Sequence, residues 1–396
     1  MNTKDFIAIE DQYGAHNYHP LDVVINEAKG VWVTDVDGKR YMDCLAAYSA
    51  VNQGHCNPKI MEAFMEQVKK VTLTSRAFRN DQLPKLYKKL NEMTGYEMSL
   101  PMNSGAEAVE TAVKTARRWA YDVKGVQENK AEIVVATGNF HGRTTTIVGF
   151  SDDPVSFKGF GPYCTEAFPM HEYGNLDDLK SKINANTAAV MIEPIQGEGG
   201  IVIPPYGYLK GVAQICKENN ILFICDEIQS GLGRAGKLFA HQYEGVRPDI
   251  VIIGKALSGG FYPVSAILAD KEILGVIKPG EHGSTFGGNP LGAAVAVRAL
   301  EVIEEEKLIE KSFELGNYFI EKLRAIDSPH LVKVRGRGLW IGFVLDTKAR
   351  PYCEKLKEEG ILCKETHENI IRFAPPLVIT KEEIDWAVEK IEFHHR

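Results

Sequence analysis

Four short, unbroken apolar runs punctuate the middle of the chain: AEIVVAT (131–137), TAAVMIEPI (187–195), ILFICDEI (221–228) and DIVIIG (249–254). Helical segments precede or separate them, among them PKIMEAFMEQVKKV (58–71), AEAVETAVKTARRWAYDV (106–123) and YLKGVAQICKENN (208–220). These carry apolar residues at i, i+3 and i+4, the spacing of a helix with one buried face. A run with no polar alternation is a strand buried on both faces, which requires helices on both sides of a mostly parallel sheet. The fold class expected is therefore α/β. Residues 61–290 read as a large domain of that kind. Residues 291–396 begin with a long helical stretch and continue with strands in VKVRGRGLWIGFVLD and NIIRFAPPLVI, a smaller α+β domain. Residues 1–60 form an N-terminal arm packing with the small domain. Its hairpin, VWVTDVDGKRYMDCL, turns at Asp37-Gly38, a pair strongly favoured in such turns.

Several classes of function are set aside by composition. The net charge of -7 gives no support to nucleic-acid binding, which would favour a basic face. No apolar run is long enough to cross a bilayer, and MNTKDFIAIEDQYG has no signal-like apolar block, so the expectation is a cytosolic protein. Seven cysteines without a C-x-x-C pair read as reduced thiols. The D-x-D-G at 35–38 lacks the later ligands of a calcium loop, so no metal is expected.

In open α/β sheets ligands bind beyond the carboxyl ends of the strands. Three of the runs close on Glu193, Asp226 and Lys255. A lysine at the mouth of a buried strand either snorkels to solvent, pairs with Glu193, or serves as a nucleophile. In the last case desolvation lowers its pKa and leaves a free amine able to condense with an aldehyde. Asp226, 29 residues earlier, either pairs with Arg234 or faces the same pocket from a neighbouring strand. An amine and a carboxylate so placed suit pyridoxal phosphate, the lysine holding the aldehyde and the acid the ring nitrogen. A charge pair at about 4 Å in an effective dielectric near 20 gives roughly 4 kcal/mol, or about three pKa units on the pyridine. GLGRAG (231–236) matches a dinucleotide fingerprint, but KLFAHQYEG follows it where a long helix should open.

A phosphate needs a cradle. In MNSGAEAVE, Ser104 and Glu107 form a capping box, and Gly105 and Ala106 leave amides open at a helix N-terminus. STFGGNP offers a second candidate, with Asn289 as cap and Pro290 in the first turn. In GNFHGRTTT, Phe140 either stacks on a planar ring or is plain core. Arg143 either grips a carboxylate or is a solvated charge, and His141 is uninformative by itself.

Together, NSGAEA, FHGRT, EPIQGEGG, DEIQSGLGRAGK, GKALSGG and STFGGNP resemble, in order and spacing, the class III, fold-type-I aminotransferases that use pyridoxal phosphate. The likeness runs from YGAHNYHPL to IIRFAPPL. GAHNYHPL and AYSAVNQGH are more similar to the ornithine-using branch than to those for acetylornithine or 4-aminobutyrate. The resemblance implies that Lys255 carries the cofactor aldehyde and moves the proton. Asp226 would meet the ring nitrogen and Gln229 the ring hydroxyl, with Phe140 over one ring face and His141 beside it. Gly105 and Ala106 would bind the phosphate, joined by Ser284 and Thr285 of a second subunit, hence a homodimer or dimer-based oligomer.

Its substrates would be L-ornithine and 2-oxoglutarate. Tyr18, Tyr48 and Arg143 would hold the amino-acid end of ornithine. Arg372 would bind the second substrate's α-carboxylate, and Glu198 would neutralise Arg372 while ornithine is bound. Three positions depart from the family's usual residues: Gly199 for alanine, Asn57 for histidine and Phe286 for tyrosine.

Overall fold

A computed structural model describes residues 1–395. All four runs form strands, Glu132–Ala136, Thr187–Ile192, Leu222–Asp226 and Ile250–Ile253, of which the last three are buried along their whole length. They pair in parallel within a seven-stranded sheet. Met170–His171 extends one edge in parallel, and Ser265–Ala269 lies antiparallel between Ile250–Ile253 and the far edge strand, Met98–Met102. The sheet is thus parallel except for one reversed strand. Its two faces are covered by separate apolar clusters. Ala108, Val109 and Ala112 of the helix Gly105–Trp119 pack on one side, and Leu209, Val212 and Cys216 of the helix Tyr208–Glu218 on the other.

Register decides where the strand ends fall. Cys225 is paired with Val251 and Asp226 with Ile252, so Lys255, three residues on, leaves the sheet beside Asp226. The two candidate residues therefore sit on neighbouring strands. The connection between them contains only a short 3-10 turn, Ala240–Glu244, with no long crossover helix. GLGRAG accordingly opens no helix. Arg234 instead turns inward, fully buried, and donates to the carbonyls of Leu339 and Pro375 and to Asn52 Oδ1 at 2.6–2.8 Å.

The hairpin Trp32–Asp35 and Arg40–Asp43 forms as expected, with Gly38 at φ +87°. Asp35 accepts from the amides of Asp37 and Lys39 and from the Tyr41 hydroxyl, so the D-x-D-G closes a turn. Ile361 pairs in parallel with Met42, which ties this sheet to the C-terminal part of the chain. There, Leu331–Gly336, Ile341–Leu345, Ile370–Phe373 and Lys364–Thr366 form a four-stranded antiparallel sheet in that order. Pro290–Glu305 and Leu308–Arg324 are the long helices preceding it, the first capped by Asn289 with Pro290 at its start. All seven cysteines are thiols. No helix of the described residues is long and apolar enough to cross a membrane.

Candidate active site

At the carboxyl ends of the parallel strands lies a cavity of about 210 Å³. Gly105, Ala106, Phe140, His141, Asp226, Gln229 and Lys255 all line it, joined by Glu193 and Ile228. A larger cavity, about 530 Å³, lies beside Asn220–Phe223 and Asp249, at the amino ends of the same strands and away from Lys255.

Each side chain is aimed by its element. Lys255 follows the buried strand Ile250–Ile253 and takes φ +45°, a left-handed conformation that costs a non-glycine residue about 1 kcal/mol. Such strain, held by the surrounding fold, turns the lysine off the strand axis and into the cavity. Burial lowers the pKa of its amine, partly offset by the nearby charge of Glu198. Asp226 Oδ1 accepts from the Ile228 amide, and Oδ2 lies 2.7 Å from His141 Nδ1. Its partner is therefore His141, and Arg234 is engaged elsewhere. Burial disfavours the imidazolium, but the bond and charge of Asp226 outweigh it, and the His141 pKa is raised.

Glu193 spreads its two oxygens over two loops. Oε1 accepts from the Phe140 amide at 2.8 Å and Oε2 from the Gly197 amide at 3.1 Å. Burial pushes its carboxyl up to about 7, with the charge of Asp226 adding to the effect.

The capping box is present: Ser104 Oγ accepts from the Glu107 amide, and Glu107 accepts from the Ser104 amide. Gly105 and Ala106 begin a helix of 15 residues, Gly105–Trp119, at its positive end. A Cβ on Gly105 would come within 3.1 Å of Ile228 Cδ1, so the backbone lies close against the cavity wall.

The substrate candidates lie next to this cavity. Arg372 is buried, and its Nη1 is 2.8 Å from Glu198 Oε1. Burial raises the Glu198 pKa, but the charge and hydrogen bond of Arg372 outweigh it and bring it below the usual value. The ring of Tyr48 lies 5.4 Å from the Arg372 guanidinium. Tyr48 gets there through a left-handed turn, Ala46 to Ser49, all at positive φ between 49° and 74°. Asp43 holds that turn by accepting from the amides of Leu45 and Ala46, and is itself paired with His55. Arg143 sits between the rings of Tyr18 and Phe140, at 5.7 and 5.6 Å. A third cavity, about 260 Å³, is lined by residues that include Phe140, Arg143, Glu198 and Thr366.

Ser284 and Thr285 are not brought to the Lys255 cavity. Thr285 is exposed, and Ser284 Oγ accepts from Asn103 and from the Gly287 amide. Asn57 caps the helix Pro58–Val68 by accepting from Lys59 and Ile60, a local reason for that residue. A methyl on Gly199 would come within 3.2 Å of Gln196 Oε1 and the Gly138 carbonyl. Phe286 is nearly half exposed. Ile228 and the two amide bonds of Glu193 were not foreseen. The signal for Ile228 was its place two residues beyond the strand-end acid.

The chemistry of this donor set fits a phosphorylated aromatic aldehyde. It offers an amine of lowered basicity, a buried carboxylate, an aromatic face and a helix N-terminus around one space. Two buried atoms in it, His141 Nε2 and Gln229 Nε2, have no hydrogen-bond partner among the described residues, as expected where a bound group completes the wall.

The family pattern of class-III aminotransferases matches residues 13–394. Over 390 residues the chain is 61% identical to ornithine aminotransferase of an Exiguobacterium species, covering 98% of this chain and 97% of that relative. It superposes on ornithine aminotransferase from Toxoplasma gondii ME49 with a TM-score of 0.98 at 42% identity, spanning 100% of this chain and 95% of that one. Against acetylornithine aminotransferase from Elizabethkingia anophelis the TM-score is 0.91 at 48% identity, with coverage of 100% and 99%.

Proposed function

The chain belongs to the class-III aminotransferases, and on that premise we propose that it moves the δ-amino group of L-ornithine to 2-oxoglutarate. The products are glutamate and glutamate 5-semialdehyde, which cyclises to pyrroline-5-carboxylate. Pyridoxal phosphate is the cofactor, supplying an aldehyde and an electron sink.

The chain's own groups divide the work. Lys255 would hold the cofactor aldehyde until the substrate amine displaces it, and the freed amine, with burial disfavouring its ammonium, would be the base that moves the proton at the carbon bearing the reacting amine. Asp226, steadied by His141, keeps the ring nitrogen protonated. Gln229 would serve the ring hydroxyl, Phe140 would cover one face, and Gly105 and Ala106 would bind the phosphate. Ser284 and Thr285 complete the phosphate site of a second subunit, which agrees with their place outside the chain's own cavity. The enzyme is then a homodimer or built from dimers, and cytosolic. The division at about residues 60 and 290 belongs to the same reading, supported by the pairing of Ile361 with Met42.

One observation carries the choice of ornithine: Arg372 is paired with Glu198 at 2.8 Å beside the reacting lysine. A free guanidinium there would draw ornithine in by its carboxylate and present the α-amine. With Arg372 neutralised, the carboxylate goes instead to Tyr18, Tyr48 and Arg143, and the δ-amine reaches Lys255. A dicarboxylate later competes Arg372 away from Glu198.

The 48% identity to an acetylornithine enzyme favours a second reading, with N-acetylornithine as amino donor. Turnover with ornithine, N-acetylornithine and 4-aminobutyrate, measured side by side, decides between them. The expected outcome is a kcat/KM for ornithine at least about tenfold above the others, about 1.4 kcal/mol of transition-state discrimination. Preference for N-acetylornithine would replace the first reading with the second.

A further inference from the structure

The loop carrying Glu198 is fastened to the sheet that carries Arg372. Thr366 ends the edge strand Lys364–Thr366, is paired with Ile370, and donates its hydroxyl to the Glu198 carbonyl at 2.9 Å. Arg335, on the strand Leu331–Gly336 of the same sheet, donates from Nε and Nη2 to the Gly200 carbonyl at 3.0 and 2.7 Å. The Gly200 amide turns back to the Gly197 carbonyl. Gly200 has φ +100°, and a Cβ there would strike Ile370 Cδ1 at 2.5 Å, so the loop lies directly on that sheet.

Resting on the ornithine reading above, we infer that Thr366 and Arg335 are positioning residues for substrate choice. They pin the carbonyls on either side of Gly199. Both partners of the Glu198–Arg372 pair are thereby referenced to one rigid sheet. A glycine at 199 would by itself leave the loop free to wander, and the flanking hydrogen bonds remove that freedom. The Glu198 carboxylate then leaves Arg372 by side-chain rotation alone, with the backbone held, when a dicarboxylate arrives. Neither residue lines the Lys255 cavity; Thr366 does line the adjoining cavity with Arg143 and Glu198, whereas Arg335 lines neither, so Arg335→Met separates positioning of the loop from direct contact with substrate.

The test is kinetic and uses the holoenzyme. Thr366→Val removes the hydroxyl at nearly constant shape, Thr366→Ser restores it, and Arg335→Met removes both donors to Gly200. A lost hydrogen bond of this kind is expected to lower kcat/KM for ornithine about five- to tenfold. The KM for glutamate as amino donor should stay the same or fall, because Arg372 is freer. Thr366→Ser should recover ornithine kcat/KM to within about twofold of wild type, and Arg335→Met should follow Thr366→Val. Melting temperature and the cofactor's visible band serve as the check on folding, and if Thr366→Val does not fold, Arg335→Met carries the test. Equal losses with ornithine and glutamate, no loss at all, or no recovery in Thr366→Ser would overturn the inference while leaving the ornithine reading intact. A wild-type enzyme without ornithine turnover would remove both.

Discussion

His141 and Asp226 meet at the centre of the site, Nδ1 to Oδ2 at 2.7 Å, both side chains almost wholly buried. An aspartate supported in this way can meet a ring nitrogen with a full charge. A carboxamide cannot. Asp226→Asn should therefore lower kcat about a thousandfold at saturating cofactor, the equivalent of roughly three pKa units at the ring. His141→Phe, which removes the donor, should cost more than His141→Asn, which retains one. Steady-state rates on the three purified variants check both statements, and a kcat in Asp226→Asn within about tenfold of wild type would be incompatible with the role given to the acid.

Burial, with the charge of Asp226 adding to it, pushes the Glu193 carboxyl up to about 7 from an ordinary value of 4.5. The folded chain thus keeps a proton that the unfolded chain has released between about pH 4.5 and 7. Stability falls as pH rises through that window. Glu193→Gln abolishes the titration and adds only a pH-independent cost at the Phe140 and Gly197 amides. Urea melts of the two proteins should therefore converge by on the order of 2–3 kcal/mol between pH 4.5 and 7.5, wild type losing its advantage. Curves that stay parallel would place the Glu193 pKa near its ordinary value.

Arg234 is a buried cation whose partners, Leu339, Pro375 and Asn52, lie in distant parts of the sequence. Burial pulls its pKa down to about 9. Arg234→Leu would leave two carbonyls and an amide oxygen unpaired in the interior. The expected loss is on the order of 3 kcal/mol of stability, seen as a lower denaturation midpoint, with the cofactor spectrum of the surviving folded fraction unchanged. A midpoint equal to wild type would mean that water or rearrangement satisfies those oxygens.

What the chain discloses before folding depends on the range of the interaction. The buried strands, the Ser104–Glu107 cap and the Asn289–Pro290 helix start are written in residues a few positions apart, and they appear where periodicity puts them. Asp226 and Lys255 were legible as strand ends because a parallel sheet delivers its carboxyl ends to one place. The reversal of Ser265–Ala269 was not legible, since a five-residue apolar strand looks alike in either direction. Nor was the left-handed turn at Ala46–Ser49, which has no glycine or asparagine to mark positive φ. Thr366 and Arg335 donate to backbone carbonyls more than 130 residues away, and no local pattern announces such a contact.

The amine at the end of the Ile250–Ile253 strand is the group on which the proposed chemistry turns, and its attachment to the cofactor can be read directly. Borohydride reduction of the holoenzyme, followed by proteolysis and mass spectrometry, should find the cofactor's added mass on the peptide containing Lys255, with Lys255→Ala giving no labelled peptide and no glutamate from ornithine. Label on a different lysine of the wild type, or ornithine turnover persisting in Lys255→Ala, would rule the assignment out.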